Sequence, residues 1–154
     1  MDRPRDPYRP LDDEARAIAA RCGSAPSAAL ATLRDGRPMV TRVATLWLAG
    51  AGPSFLISDL SDHARALDAA AACSLLLGEP GAKGDPLTHP RLTVMGEASV
   101  VDKDAHRGAW LAARPKAGLY YDFTDFRLWH VSVAEALLNA GFGRAYRFGP
   151  SDLN

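Results

Sequence analysis

No sign of charge predominates in this 154-residue sequence: eighteen basic residues stand against eighteen acidic ones. Such a balance gives no long-range field to draw in a phosphate backbone or an anionic lipid surface, which counts against nucleic acid and membrane as partners. Cysteine is scarce as well. Cys22 and Cys73 lie far apart and form no Cys-x-x-Cys pair, so neither a zinc ribbon nor a redox dithiol is indicated, and two buried thiols in a reducing compartment are expected. The first residues are polar and proline-rich, with no apolar run of signal or membrane-spanning length behind them, so a cytoplasmic protein is expected. There is no His-Glu-x-x-His, no Gly-x-Ser-x-Gly elbow and no Walker loop. The four histidines, His63, His89, His106 and His130, are scattered rather than set at ligand spacing, and no metal site is expected. Gly141-Phe142-Gly143 lacks the third glycine of a dinucleotide fingerprint and opens no strand-helix-strand unit.

What is present is the balance of an ordinary globular domain, 47% hydrophobic and 23% charged. Residues 1–10 read as a flexible arm and 11–150 as one domain. Leu11, Ala15, Ile18, Ala19 and Cys22 recur at helical spacing behind Asp12 and Asp13, predicting an amphipathic helix. Residues 28–33 and 38–48 are strand-like runs joined at Asp35-Gly36, a strong hairpin signal. A short strand over 54–58 then leads into a helix over about 62–72, with Ser61 placed to cap it. Further strands are expected at 73–78, 91–101 and 125–133, with a helix at 103–113 and a terminal hairpin after 136 bent at its glycines. Six or seven mostly antiparallel strands with two or three helices argue for a mainly β protein. A small barrel with flanking helices fits, because closure removes exposed edges.

Two places can carry chemistry. Ser58-Asp59-Leu60-Ser61-Asp62-His63-Ala64-Arg65 lies where a strand hands over to a helix, and such a junction offers free N–H groups, hydroxyls and the positive end of a helix dipole. Ser58, Ser61, His63 and Arg65 are the polar groups in reach of a phosphate there; a capped surface helix with solvated charges is the plain alternative. Arg42 falls in register with Val40, Ala44 and Leu46, the more apolar face of its strand, so it calls for an anionic partner, either a ligand phosphate or a carboxylate. Trp47, Trp110, Trp129 and Phe142 are expected to pack in the core or at an interface rather than on a ligand.

The strings Arg42-Val43-Ala44-Thr45, Phe55 to Leu67 and Cys73 to Leu77 resemble the FMN-binding split barrel of the pyridoxamine phosphate oxidase superfamily. Gly84-Asp85-Pro86-Leu87-Thr88-His89-Pro90-Arg91, Tyr121 to Phe126 and Gly141 to Ala145 resemble its branch of HugZ-type haem-utilisation proteins. The resemblance covers roughly residues 12 to 148. It implies a six- to seven-stranded antiparallel split β-barrel forming a homodimer, with one FMN in each of two clefts between subunits. By position, Arg42 and Val43 would line the flavin, Ser58 and Asp59 would meet it at the end of the next strand, and Ser61, His63 and Arg65 would hold its phosphate. Where oxidases of pyridoxamine phosphate place an Arg-Lys pair, this chain has His63-Ala64. The implied function is an FMN-dependent oxidoreductase acting on a small molecule, with no catalytic side chain assigned, since a flavin carries the electrons itself. Haem binding or haem degradation is the alternative. HugZ-type proteins use a histidine near their C-terminal end as iron ligand, and this sequence has none after His130, which weighs against haem degradation. A non-catalytic flavin or small-ligand binder is the third reading.

Overall fold

The hairpin that begins the sheet is set by two residues. Asp35 and Gly36 both have positive φ, +50° and +73°, the conformation a two-residue turn needs to match the twist of its strands. The computed structural model, which describes residues 5–153, pairs β1 (Ser27–Arg34) with β2 (Arg37–Leu48) across this turn, in register from Arg34↔Arg37 to Ser27↔Ala44. Before them lies α1 (Asp13–Gly23), capped by the Asp12 side chain, which accepts from Ala15 N–H. After them come β3 (Gly52–Ser58), α2 (Asp62–Ala69), β4 (Ala72–Leu77), β5 (Arg91–Val101), α3 (Lys103–Ala113), β6 (Phe126–Asn139) and β7 (Ala145–Phe148).

The strands form one antiparallel sheet in the order β3-β2-β1-β4-β5-β6-β7, and β3 also pairs with β6, so six strands close into a barrel with β7 as an extra strand. This is the mainly β split barrel that the sequence implies. Two expected strands at the C-terminal end are one: β6 runs unbroken for 14 residues because a bulge absorbs the break in its alternation. Met95 pairs with Glu135 and Gly96 with Val133, leaving Ala134 as the extra residue. At the bulge the strands approach so closely that a Cβ on Gly96 would lie 2.0 Å from Ser132 O. α2 stops at Ala69 rather than near Ala72, which instead opens β4.

Two apolar clusters hold the fold. Inside the barrel and beneath α1, Leu30, Phe55, Leu75, Leu92, Val94, Val131, Leu138 and Phe148 are buried together, with both thiols among them. Outside it, Leu48, Leu56, Trp110, Tyr121 and Leu128 form a second cluster between the sheet and α3. β3 is thus buried on both faces, which explains its unbroken apolar run. The string Gly84 to Arg91 forms a self-bonded loop. Asp85 accepts from Leu87 N–H, Thr88 Oγ1 donates to Asp85 O, and Arg91 donates to Leu87 O. Of the stretch read as an arm, residues 1–4 lie outside the described residues; Tyr8 forms a parallel bridge to Ala145, and Arg9 N–H donates to Ala145 O. No helix among the described residues is long and apolar enough to cross a membrane.

Candidate functional site

The barrel is incomplete on one side, and the defect follows from register. β2 pairs with β1 over residues 37–44 but with β3 only over 45–48, so the other edge of its first two-thirds has no partner strand. Thr45 donates its N–H to Pro26 O, on the β1 side. By strand alternation the main-chain groups of Arg42 then face the unpaired edge and those of Thr41 and Val43 face β1, while Ala44, flanking the Thr45↔Phe55 pair, is where bonding to β3 ends. α2 packs against β1, and His63 Nδ1, 2.8 Å from Thr41 Oγ1, ties the helix to β2 as well.

The turn from β3 into α2 is held from a distance in sequence. Ser58 Oγ donates to Asp125 Oδ2 at 2.6 Å and accepts from Leu60 N–H. Asp59 N–H donates to Asp125 O at 2.6 Å, and the Asp59 carboxylate is paired with Arg127. Arg127 also reaches Asp68 on α2 at 2.8 Å and lies over the Trp129 ring, closing that end of the barrel. Ser61 donates to Ser58 O and accepts from Ala64 N–H at 3.3 Å as the α2 cap. Thr41, Asp68, Asp125 and Arg127 are the members of this constellation that the sequence did not reveal. Nothing local marks Asp125 and Arg127, because the β3–β6 pairing joins residues as far apart as Ser54 and His130.

The predicted residues therefore divide. Ser58, Asp59 and Ser61 gather in one turn, and their polar groups are engaged in building it. Val43 is only 4% exposed, its side chain in the barrel core and its main chain toward β1, so it presents no group at the open edge. Arg42 shares a face with Val40, Ala44 and Leu46, as its register implied, but that face is the outside of the barrel. Ala44 and Leu46 pack against the second cluster, whereas Arg42 and Val40 are exposed, so the arginine carries no cost of burial. Arg65 is exposed on α2. Neither Arg42 nor Arg65 makes an ion pair or side-chain hydrogen bond among the described residues. His63 is half-buried, and burial pushes its pKa below the ordinary imidazole value, partly offset by Asp62. Four cavities among the described residues are lined by other residues than Arg42, Ser58, Ser61, His63 and Arg65; what one chain presents there is a strand edge and two cations. Among the described residues no three His, Cys, Asp or Glu side chains come together as metal ligands.

Residues 11–139 match the family model described as pyridoxamine 5'-phosphate oxidase. Among solved structures, a haem-binding protein from Mycobacterium smegmatis is 34% identical with a TM-score of 0.81, the match covering 95% of this chain and 61% of that one. The protein Atu2129 of unknown function from Agrobacterium tumefaciens is 32% identical with a TM-score of 0.77, covering 95% and 63%. ChuZ of Campylobacter jejuni shares the fold at 18% identity, with a TM-score of 0.81 and coverage of 95% and 63%. This chain thus spans less than two-thirds of the length of these three proteins. No curated protein matches it.

Proposed function

The chain belongs to the pyridoxamine 5'-phosphate oxidase family, and on that premise we propose that it is a cytoplasmic FMN-binding flavoprotein, an oxidoreductase acting on a small molecule. The observation that carries this reading is the open edge of β2, with Arg42 on that stretch and Arg65 on α2, neither paired with an acid among the described residues. A flavin has a rim of alternating donors and acceptors, which the unpaired strand groups at Arg42 can meet, and a phosphate dianion, which Arg42 and Arg65 can neutralise. The residues present fit the group. When bound, a flavin supplies one- and two-electron transfer, and the protein's part is to hold and orient it and to exclude side reactions. His63, bonded to Thr41, ties α2 to β2, and the Asp125–Ser58 and Arg127–Asp59 pairs hold the turn that carries Ser61 and the first residues of α2.

The missing wall of the cleft comes, in this proposal, from a second copy. Beside the open edge, the outward face of β1, β2 and β4 carries Leu33, Val40 at 66% exposure and Leu76 at 45%, with Ala29 and Ala31 between them. An apolar face of this kind is suited to association. The purified protein is expected to be yellow, to bind FMN saturably and to sediment as a dimer. Colourless monomer that ignores added FMN refutes the proposal, and reduction of the bound flavin by a nicotinamide separates an enzyme from a passive binder.

Haem is the second reading, favoured by the M. smegmatis relative, which is a haem-binding protein. Titration with hemin tests it: an intense Soret band with no response to FMN replaces the flavin reading.

A further inference from the structure

We infer that a second pocket, separate from the open edge of β2, binds an apolar molecule bearing one carboxylate. It lies between α1, the end of β2, the residue after α3 and the chain following β7, with a volume of about 510 Å³, within the range of small-molecule sites. Leu46, Trp47, Phe148 and Leu153 give it an apolar wall, and Arg16 and Arg114 bring two cations to it. The Trp47 ring is seated against the backbone of Gly23, where an added Cβ would lie 2.9 Å from it, so the aromatic wall is fixed in place.

The two arginines differ in what they have to spare. Arg16 is engaged with Asp152, donating to its carbonyl at 3.0 Å with the carboxylate at 3.8 Å. Arg114 is half-buried and has no acidic partner among the described residues. Its Nε donates to Thr45 O at 3.0 Å, one terminal nitrogen to Ala113 O at 3.0 Å and the other to Ala25 O at 3.4 Å. Of five N–H groups, two remain, one on each terminal nitrogen, which is the number a carboxylate accepts side by side. The three carbonyls fix the guanidinium but leave its charge uncompensated. An anionic head on an apolar body meets both requirements of the pocket, charge at Arg114 and burial against Trp47 and Phe148.

Calorimetric titration of the full chain with phenylbutyrate, and with phenylbutanol as its uncharged counterpart, tests this. The acid is expected to bind saturably, and the alcohol at least about tenfold more weakly, as the loss of a charge-assisted contact implies. Arg114→Gln should bring the acid down to the affinity of the alcohol. Because Arg114 also braces main-chain carbonyls, a second variant leaves it intact. Ala20→Phe, at an exposed position of α1 that lines the pocket, should abolish binding of both compounds while leaving FMN titration unchanged. Absence of saturable acid binding, equal affinity for acid and alcohol, or undiminished binding in Ala20→Phe overturns the inference.

Discussion

At the scale of single residues, Arg65 and His63 occupy the same short helix but are held differently. The Arg65 side chain has no partner among the described residues, so Arg65→Ala should leave the fold intact and weaken FMN binding by about 1.5–3 kcal/mol, the range for a hydrogen bond to a charged group; equilibrium titration of the variant checks this. His63 is shifted by its surroundings. Burial lowers its pKa in the folded chain below the ordinary value of 6.5, so the folded state binds fewer protons than the unfolded one as the medium turns acid. Its contribution is fully present above the unfolded value and declines as pH falls through it. Thermal melts from about pH 7 to 5 should show a loss of stability that is shallower in His63→Gln. Burial likewise pushes the Cys73 thiol up to about 11, aided by Glu97 against an opposing main-chain hydrogen bond from Ala98. With Cys22 also raised by burial, neither thiol should be alkylated by iodoacetamide under native, mildly alkaline conditions, and both should react once the chain is unfolded.

At the scale of elements, the fold depends on the point where β5 and β6 nearly touch. Gly96→Ala would drive a methyl group into a main-chain oxygen, which cannot turn aside as a flexible side chain can, and should cost about 3 kcal/mol in urea unfolding. The same region shows what the sequence could and could not convey. β5 and α3 were legible to their ends, because apolar alternation and Pro115 are local signals. The unity of β6 was not: one inserted residue at Ala134 reverses the alternation, and a reader of periodicity sees two strands. The β3–α2 turn was legible through Ser61, whose cap is written within three residues. Its braces are Asp125, just before β6, and Arg127, within it, and only closure of the barrel decides which strand β6 pairs with. Arg42 was placed on the right face of β2, but alternation alone does not say which face of a barrel strand looks inward, and that face proved to be the outer one.

At the scale of the whole molecule, the open edge of β2 and the apolar patch beside it belong to one argument about assembly. Val40→Glu combined with Leu76→Glu places charge on the outward face without disturbing the interior, so both residues should be tolerated by the fold. The double variant is expected to shift sedimentation from dimer to monomer and to lose FMN binding with it, because the second wall of the cleft departs. A dimer that persists in this variant assigns the contact to another face.

β6 pairs with β3, β5 and β7, and without it the five preceding strands have no means of closing on themselves. During synthesis, then, the ribosome must release the chain through Phe126–His130 before the seam with β3 can form. Until that moment the nascent polypeptide exposes β3, apolar on both faces, and a chaperone that shields such a strand should be most needed in that interval.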